Sequence, residues 1–158
     1  MEDKTNAMRL LEQAGVSYAP HTYPHGREAV DGVTVARLLG QEPERVFKTL
    51  VTRGASGGFC VFAIPVEATL DLKKAARAAG EKSVAMIPVA DILRVTGYVR
   101  GGCSPLGMKK QYPTFLDETA ILFDTIYVSA GRIGAQIEVN SEALAALCGG
   151  QFADLTAE

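Results

Sequence analysis

Apolar and polar positions alternate in two different rhythms along the chain, and the rhythm predicts the elements. In "TNAMRLLEQAG" (5–15), Met8, Leu10 and Leu11 recur at helical spacing, Thr5 or Asn6 offers a cap, and Gly15 ends the run. "VTVARLLG" (33–40) reads as a second helix closed by Gly40. "LDLKKAARAAG" (70–80) reads as a third, with Asp71 near its start and Gly80 after its end. "VADILRVTG" (89–97) and "EALAALCG" (142–149), the latter capped by Asn140 or Ser141, complete the helices. "RVFKTLVTR" (45–53) and "FCVFAIPV" (59–66) are apolar and β-branched, and "GASGG" between them predicts a hairpin. "SYAPHTYPH" (17–25) is extended, with Pro20 and Pro24 confining it to an edge. "KSVAMIP" (82–88), "PTFLDETAILF" (113–123), "TIYVSAG" (125–131), "AQIEV" (135–139) and "FADLT" (152–156) are expected to supply further strands.

Helices and strands interleave, yet several connections are tight hairpins. That predicts a mixed α/β sheet rather than a doubly wound parallel one. At 158 residues the chain is expected to form one domain, residues 1–158, with a core large enough to fold without staples. Neither repeats nor low-complexity blocks interrupt it.

Charge and cysteine usage narrow the functional classes. The net charge of −2 means that a nucleic-acid partner must be held by a local basic patch. Cys60, Cys103 and Cys148 are odd in number and widely spaced, which argues against a disulfide framework or a zinc ribbon. Reduced thiols point to the cytoplasm. The first 15 residues lack the apolar core of a signal peptide, and no stretch approaches a membrane span.

Four features carry candidate chemistry. Cys103 is a nucleophile only if a base or cation makes its thiolate; otherwise it is a small buried apolar residue, the commoner behaviour of free cysteine. His21 and His25 have no third metal-ligand cluster, so no metal is expected. The glycines of "GGCSPLG" (101–107) meet neither dinucleotide nor Walker spacing, but their backbone N–H groups can hold a carboxylate, phosphate or carbonyl oxygen. Lys48 stands between apolar neighbours in a strand, so it either snorkels to solvent or sits in a pocket with an anionic partner. Basic residues gather as Lys73, Lys74, Arg77 and Lys82 on one helix and its exit, and as Arg100, Lys109, Lys110 and Arg132 around the glycine loops. Around one mouth they would follow a phosphate backbone.

"HTYPH", "RVFKTLV", "LDLKKAARAAGEKSVAM", "TGYVRGGCSPLG" and "TIYVSAGRIGAQIEV" occur in this order, and nearly the whole chain resembles the YbaK/EbsC family. The pairing of an "FKTL" strand with a "G-G-x-S-P-x-G" loop is the specific part of the match. The resemblance implies a compact α/β domain with a twisted, partly barrel-like sheet flanked by short helices. It implies a trans-editing aminoacyl-tRNA deacylase that removes cysteine from Cys-tRNA(Pro), and from Cys-tRNA(Cys), since cysteine and proline are too alike in size for one pocket to separate. Deacylation of another small residue such as alanine, or non-catalytic binding of tRNA ends or an anion, are the alternatives. Lys48 matches the family's pocket lysine, and Gly101 and Pro105 match its G-x-x-x-P loop, with Gly102 and Ser104 inside that loop. Tyr23, Ser129 and Gly131 fall where pocket-lining residues are expected. Gln136 stands where some relatives carry aspartate, and Cys103 where relatives often carry an aliphatic residue. Lys48 and Gly101 are thus the expected catalytic positions. No cofactor is implied; prolyl-tRNA synthetase is the implied partner, and a monomer is expected.

Overall fold

In a computed structural model, which describes residues 4–158, the β-strands form two sheets that share one joint. The smaller sheet has the order β1–β7–β6 and is antiparallel throughout: β1 (Tyr18–Thr22), β6 (Ile126–Ser129) and β7 (Ala135–Val139). The larger has the order β4–β2–β3–β5–β8, from β2 (Phe47–Gly54), β3 (Phe59–Pro65), β4 (Val84–Met86), β5 (Thr114–Asp117) and β8 (Gln151–Ala153). β2, β3 and β4 pair antiparallel, whereas β3–β5 and β5–β8 are parallel, so the sheet is mixed as the connections predict. A parallel bridge between Val46 and Tyr127 joins the two sheets.

The predicted hairpin is present. Phe47 faces Pro65 at one end of the β2–β3 ladder and Arg53 faces Phe59 at the other, and the Gly54 N–H donates to the Gly58 carbonyl across the turn. Helix starts also follow the caps. Thr5 accepts from the Met8 N–H before α1 (Asn6–Gln13), Asp71 from Lys73 and Lys74 before α3 (Leu72–Ala79), and Asn140 from Ala143 before α5 (Ser141–Cys148). Asp31 caps α2 (Gly32–Leu39) in the same way. A short α4 (Ile92–Thr96) leads into the glycine loop.

Two expectations change in extent. The stretch 113–123 is a strand only to Asp117 and then turns as a 3-10 helix over Glu118–Leu122. The buried Asp117 carboxylate accepts from the Thr119 N–H and hydroxyl and from the Leu155 N–H, and these local bonds replace the sheet ladder. The stretch 82–88 is likewise strand only over Val84–Met86, where it pairs with Thr52–Gly54.

The main core lies between the small sheet, α1 and α5, with Leu11, Phe47, Leu116, Ile126, Ile137 and Leu144 fully enclosed. A second core packs Ala75 and Ala76 of α3 onto Phe62 and Ile64 of β3. Among the described residues no helix is long and apolar enough to cross a membrane.

Candidate functional site

Beyond the Val46–Tyr127 bridge the two sheets part, and the gap is a cleft of about 1060 Å³. β4 covers β2 only from Thr52 onward, so the edge of β2 between Lys48 and Val51 has no strand beside it. The Ile87 N–H donates to the Val51 carbonyl, which turns Val51's backbone groups away from β3. By alternation, Thr49 also directs its N–H and C=O into the cleft.

The joint is held by side chains as well as by backbone. Arg45, just before β2, donates to the Thr125 carbonyl at 3.2 Å and to its hydroxyl at 2.8 Å. Its guanidinium carbon lies 5.4 Å from the centre of the Tyr127 ring and its Nη2 3.6 Å from Glu138. Glu138 in turn accepts from the Thr125 hydroxyl at 2.7 Å and lies 3.0 Å from His21 Nε2. The Thr125 hydrogen bond, followed by that of His21, lowers the Glu138 carboxyl below its ordinary value despite burial. This clasp sets the angle at which β2 leaves the small sheet, and so the width of the cleft floor.

Lys48 enters the cleft partly buried. Its neighbour across the ladder is Ile64, and among the described residues no carboxylate pairs with it. Burial alone lowers its ammonium below the ordinary lysine value. A cation held without a counter-charge is poised to receive one.

The facing wall is the glycine loop, and its rigidity has identifiable causes. The Tyr98 N–H donates to the Thr96 hydroxyl, the Tyr98 hydroxyl to the Leu106 carbonyl, and the Leu106 N–H to the Ser104 hydroxyl. The Gly102 N–H is spent on the Val99 carbonyl at 3.0 Å. The N–H groups of Gly101 and Cys103, both lining the cleft, have no partner among the described residues. Gly101 has φ +84°, and a side-chain carbon there would sit 2.7 Å from the Ala29 Cβ. At Gly102 it would sit 2.9 Å from the Arg132 Cα. The loop is therefore wedged between two other backbones that only glycine can approach so closely.

Of the residues expected at the site, Tyr23, Lys48, Gly101, Ser129 and Gln136 line the cleft. Gly102, Ser104, Pro105 and Gly131 do not: Ser104 and Pro105 are buried within the loop, and the Gly131 N–H binds and orients the Ser129 hydroxyl at 3.2 Å. Sequence reasoning missed Thr49, although it is adjacent to Lys48 on the same strand, and it missed Arg27 on the cleft wall. The basic residues do not ring one mouth. Arg100 lines the cleft, but Lys74 and Arg77 line a separate pocket of about 180 Å³, where Lys74 pairs with Asp154.

Cys103 also faces the cleft, and burial pushes its thiol up to about 11. Neither histidine lines the cleft: His21 binds Glu138, and His25 Nδ1 lies 2.9 Å from the Gly26 carbonyl. Neither imidazole is therefore placed to activate the thiol, and burial keeps it in the protonated form. Among the described residues no group of three histidine, cysteine or carboxylate side chains is arranged to hold a metal. The site offers hydrogen-bond donors and a cation to an oxygen that gains charge, and among the described residues no side chain in it is an activated nucleophile.

Comparison with known proteins gives this chemistry a setting. Residues 27–147 match the family described as the aminoacyl-tRNA editing domain. The chain is 48% identical over 155 residues to EbsC of Enterococcus faecalis, a protein named as a candidate Cys-tRNA(Pro)/Cys-tRNA(Cys) deacylase; the match covers 98% of this chain and 94% of that one. It is 27% identical over 109 residues to the uncharacterized protein YwhH of Bacillus subtilis, covering 69% of each. A crystal structure described as a candidate trans-editing enzyme for prolyl-tRNA synthetase superposes with a TM-score of 0.81 at 25% identity, over 99% of this chain and 100% of the other.

Proposed function

Because the chain belongs to the aminoacyl-tRNA editing domain family, we propose that it is an aminoacyl-tRNA deacylase that frees cysteine from Cys-tRNA(Pro) and Cys-tRNA(Cys). The observation that carries this reading is the pair of unpartnered N–H groups on Gly101 and Cys103 in a cleft that also holds the unpaired Lys48. An aminoacyl ester places its carbonyl oxygen between the two N–H groups, which stabilise the oxyanion as it forms. Lys48 meets negative charge at the ester or at the terminal phosphodiester.

The missing nucleophile comes from the substrate. The cysteinyl thiol attacks its own carbonyl, a carbon–sulfur bond forms, and the ester carbon–oxygen bond breaks. The thiol proton passes to the departing ribose oxygen, and water then opens the thiolactone to free cysteine. Holding the side chain in the attacking rotamer is the protein's contribution, a gain from positioning. Prolyl-tRNA has no thiol and is spared. Residues 1–158 act as one cytoplasmic unit. Prolyl-tRNA synthetase supplies the tRNA selectivity that a chain of net charge −2 with divided basic residues lacks.

The test is loss of labelled amino acid from Cys-tRNA(Pro), Ala-tRNA(Pro) and Pro-tRNA(Pro) with pure protein. Rapid loss from the first alone is expected. Equal loss of cysteine with and without protein overturns the reading, and comparable loss of alanine overturns the role of the thiol.

A further inference from the structure

Two buried oxygens in the cleft have no hydrogen-bond partner: Thr49 Oγ1 and Gln136 Oε1. No other buried side-chain nitrogen or oxygen among the described residues is in this condition. Native interiors rarely leave such groups unmet, because each has given up its water without replacement.

Their positions explain why the protein itself does not satisfy them. Phe47, Thr49 and Val51 share one face of β2. Phe47 packs into the main core and Val51 against Ile87 and Val95, so Thr49 lies between the two clusters. Gln136 is only 6% exposed and stands directly opposite Ser129 on β6 and His21 on β1. His21 is turned to Glu138, the Ser129 hydroxyl is held by the Gly131 N–H, and among the described residues neither donates to Gln136 Oε1. The two oxygens therefore approach the same cleft from the two different sheets, each free to accept.

On an aminoacyl ester the carbonyl oxygen is itself an acceptor and goes to the N–H groups of Gly101 and Cys103. The group that can satisfy two acceptor oxygens is the α-amine beside it, with its several N–H donors. We infer that Thr49 Oγ1 and Gln136 Oε1 together form the seat of the substrate's α-amino group, so that the site selects esters of free primary amino acids. The inference rests on the deacylase reading and assigns the part of the substrate that this reading leaves unplaced. Binding the amine from both sheets also fixes the ester across the joint, with its carbonyl toward the glycine loop. The seat carries no formal charge, whereas a carboxylate at position 136 would favour the ammonium form.

The test uses two non-hydrolysable amides of 3′-amino-3′-deoxyadenosine, one cysteinyl and one 3-mercaptopropionyl. They differ only in the α-amine. Calorimetry on the full chain is expected to show the cysteinyl amide bound about ten- to a hundredfold tighter, the span of two neutral hydrogen bonds. Thr49→Val and Gln136→Leu keep the volume and remove the oxygen; each is expected to cut this preference, and the double variant to abolish it. Thr49→Ser keeps the oxygen and is expected to keep the preference. Thermal melting of the apolar variants should be unchanged or raised, because an unmet buried group is removed. Equal binding of the two amides by the unaltered protein overturns the inference. So do variants that weaken both amides alike, which would give the oxygens to another part of the ligand. A clear preference without ester loss from Cys-tRNA would keep the seat and overturn the deacylase reading. Failure to bind either amide would overturn both.

Discussion

Lys48→Met is the substitution that most directly separates the site from the fold. Methionine keeps an unbranched stem beside Leu50 and opposite Ile64 while removing the charge. If Lys48 meets a phosphate or the charge building on the ester, the loss is one charge-assisted hydrogen bond, about 1.5–3 kcal/mol. At about 1.4 kcal/mol per decade this is a fall of roughly ten- to a hundredfold or more in single-turnover deacylation.

Stability moves the other way. Burial lowers the folded pKa of Lys48, so the unfolded chain holds this proton more firmly than the folded one. The charged side chain thus subtracts from stability at every pH below its folded pKa. The penalty is relieved as pH rises through that value toward the unfolded one, about 10.4. Lys48→Met is therefore expected to melt at the same temperature as the unaltered protein or higher at pH 7, with any gain shrinking in strongly alkaline buffer. Lys48→Arg restores charge but replaces a compact ammonium with a planar fork, so it should recover only part of the rate. A normal rate with a normal melt would remove Lys48 from the reacting centre. A lost rate with a lowered melt would make it a structural residue.

Cys103→Ala should stay within a few-fold of the original rate, because a thiol raised to about 11 is protonated at neutral pH; a fall beyond about a hundredfold, the scale of a lost acid or base, would restore it as a catalytic group. Gly102→Ala should lose activity and lower Tm by about 2–12 °C, from about 1–3 kcal/mol of overpacking against the Arg132 backbone at a chain of this size; an unchanged melt would show that the loop yields freely. The Glu138 clasp stabilises above the ordinary glutamate pKa of about 4.3 and is lost as pH falls through its lowered folded value. The melting difference between the unaltered protein and Glu138→Gln should therefore be larger at pH 7 than at pH 3, and an equal difference at both would refute the clasp.

The parts of this molecule legible in the sequence are those governed by near neighbours in the chain. Asp71, Asn140 and the glycines after each helix act within a turn, and the hairpin is set by a few glycines between two apolar runs. The same locality explains the over-long strand at 113–123. Its apolar run continues past Asp117, but that carboxylate captures Thr119 and Leu155 and ends the ladder. Lys48 was visible as a charge in an apolar strand, and Gly101 as part of a dense glycine run. The meaning of Thr49 and Gln136 was not visible. Threonine and glutamine are ordinary in strands, and their lack of partners arises only where two sheets that meet at Val46 and Tyr127 diverge again. The basic residues show the same limit: spacing could not tell that α3 would carry Lys74 to Asp154 while Arg100 stayed at the cleft.

That limit also bears on how the site acts. The backbone donors come from a loop fixed locally by Thr96, Tyr98 and Ser104, so their spacing varies little with the rest of the fold. Lys48 and Thr49 reach the cleft from the larger sheet and Gln136 from the smaller, so their separation depends on the Arg45–Glu138 joint. Loosening that joint should leave the oxyanion donors intact and misplace the amine and the charge together. If the attacking thiol is carried by the substrate, as proposed, the rate depends on how firmly both ends of the aminoacyl group are held, and an error of about 1 Å in that hold can cost about a hundredfold.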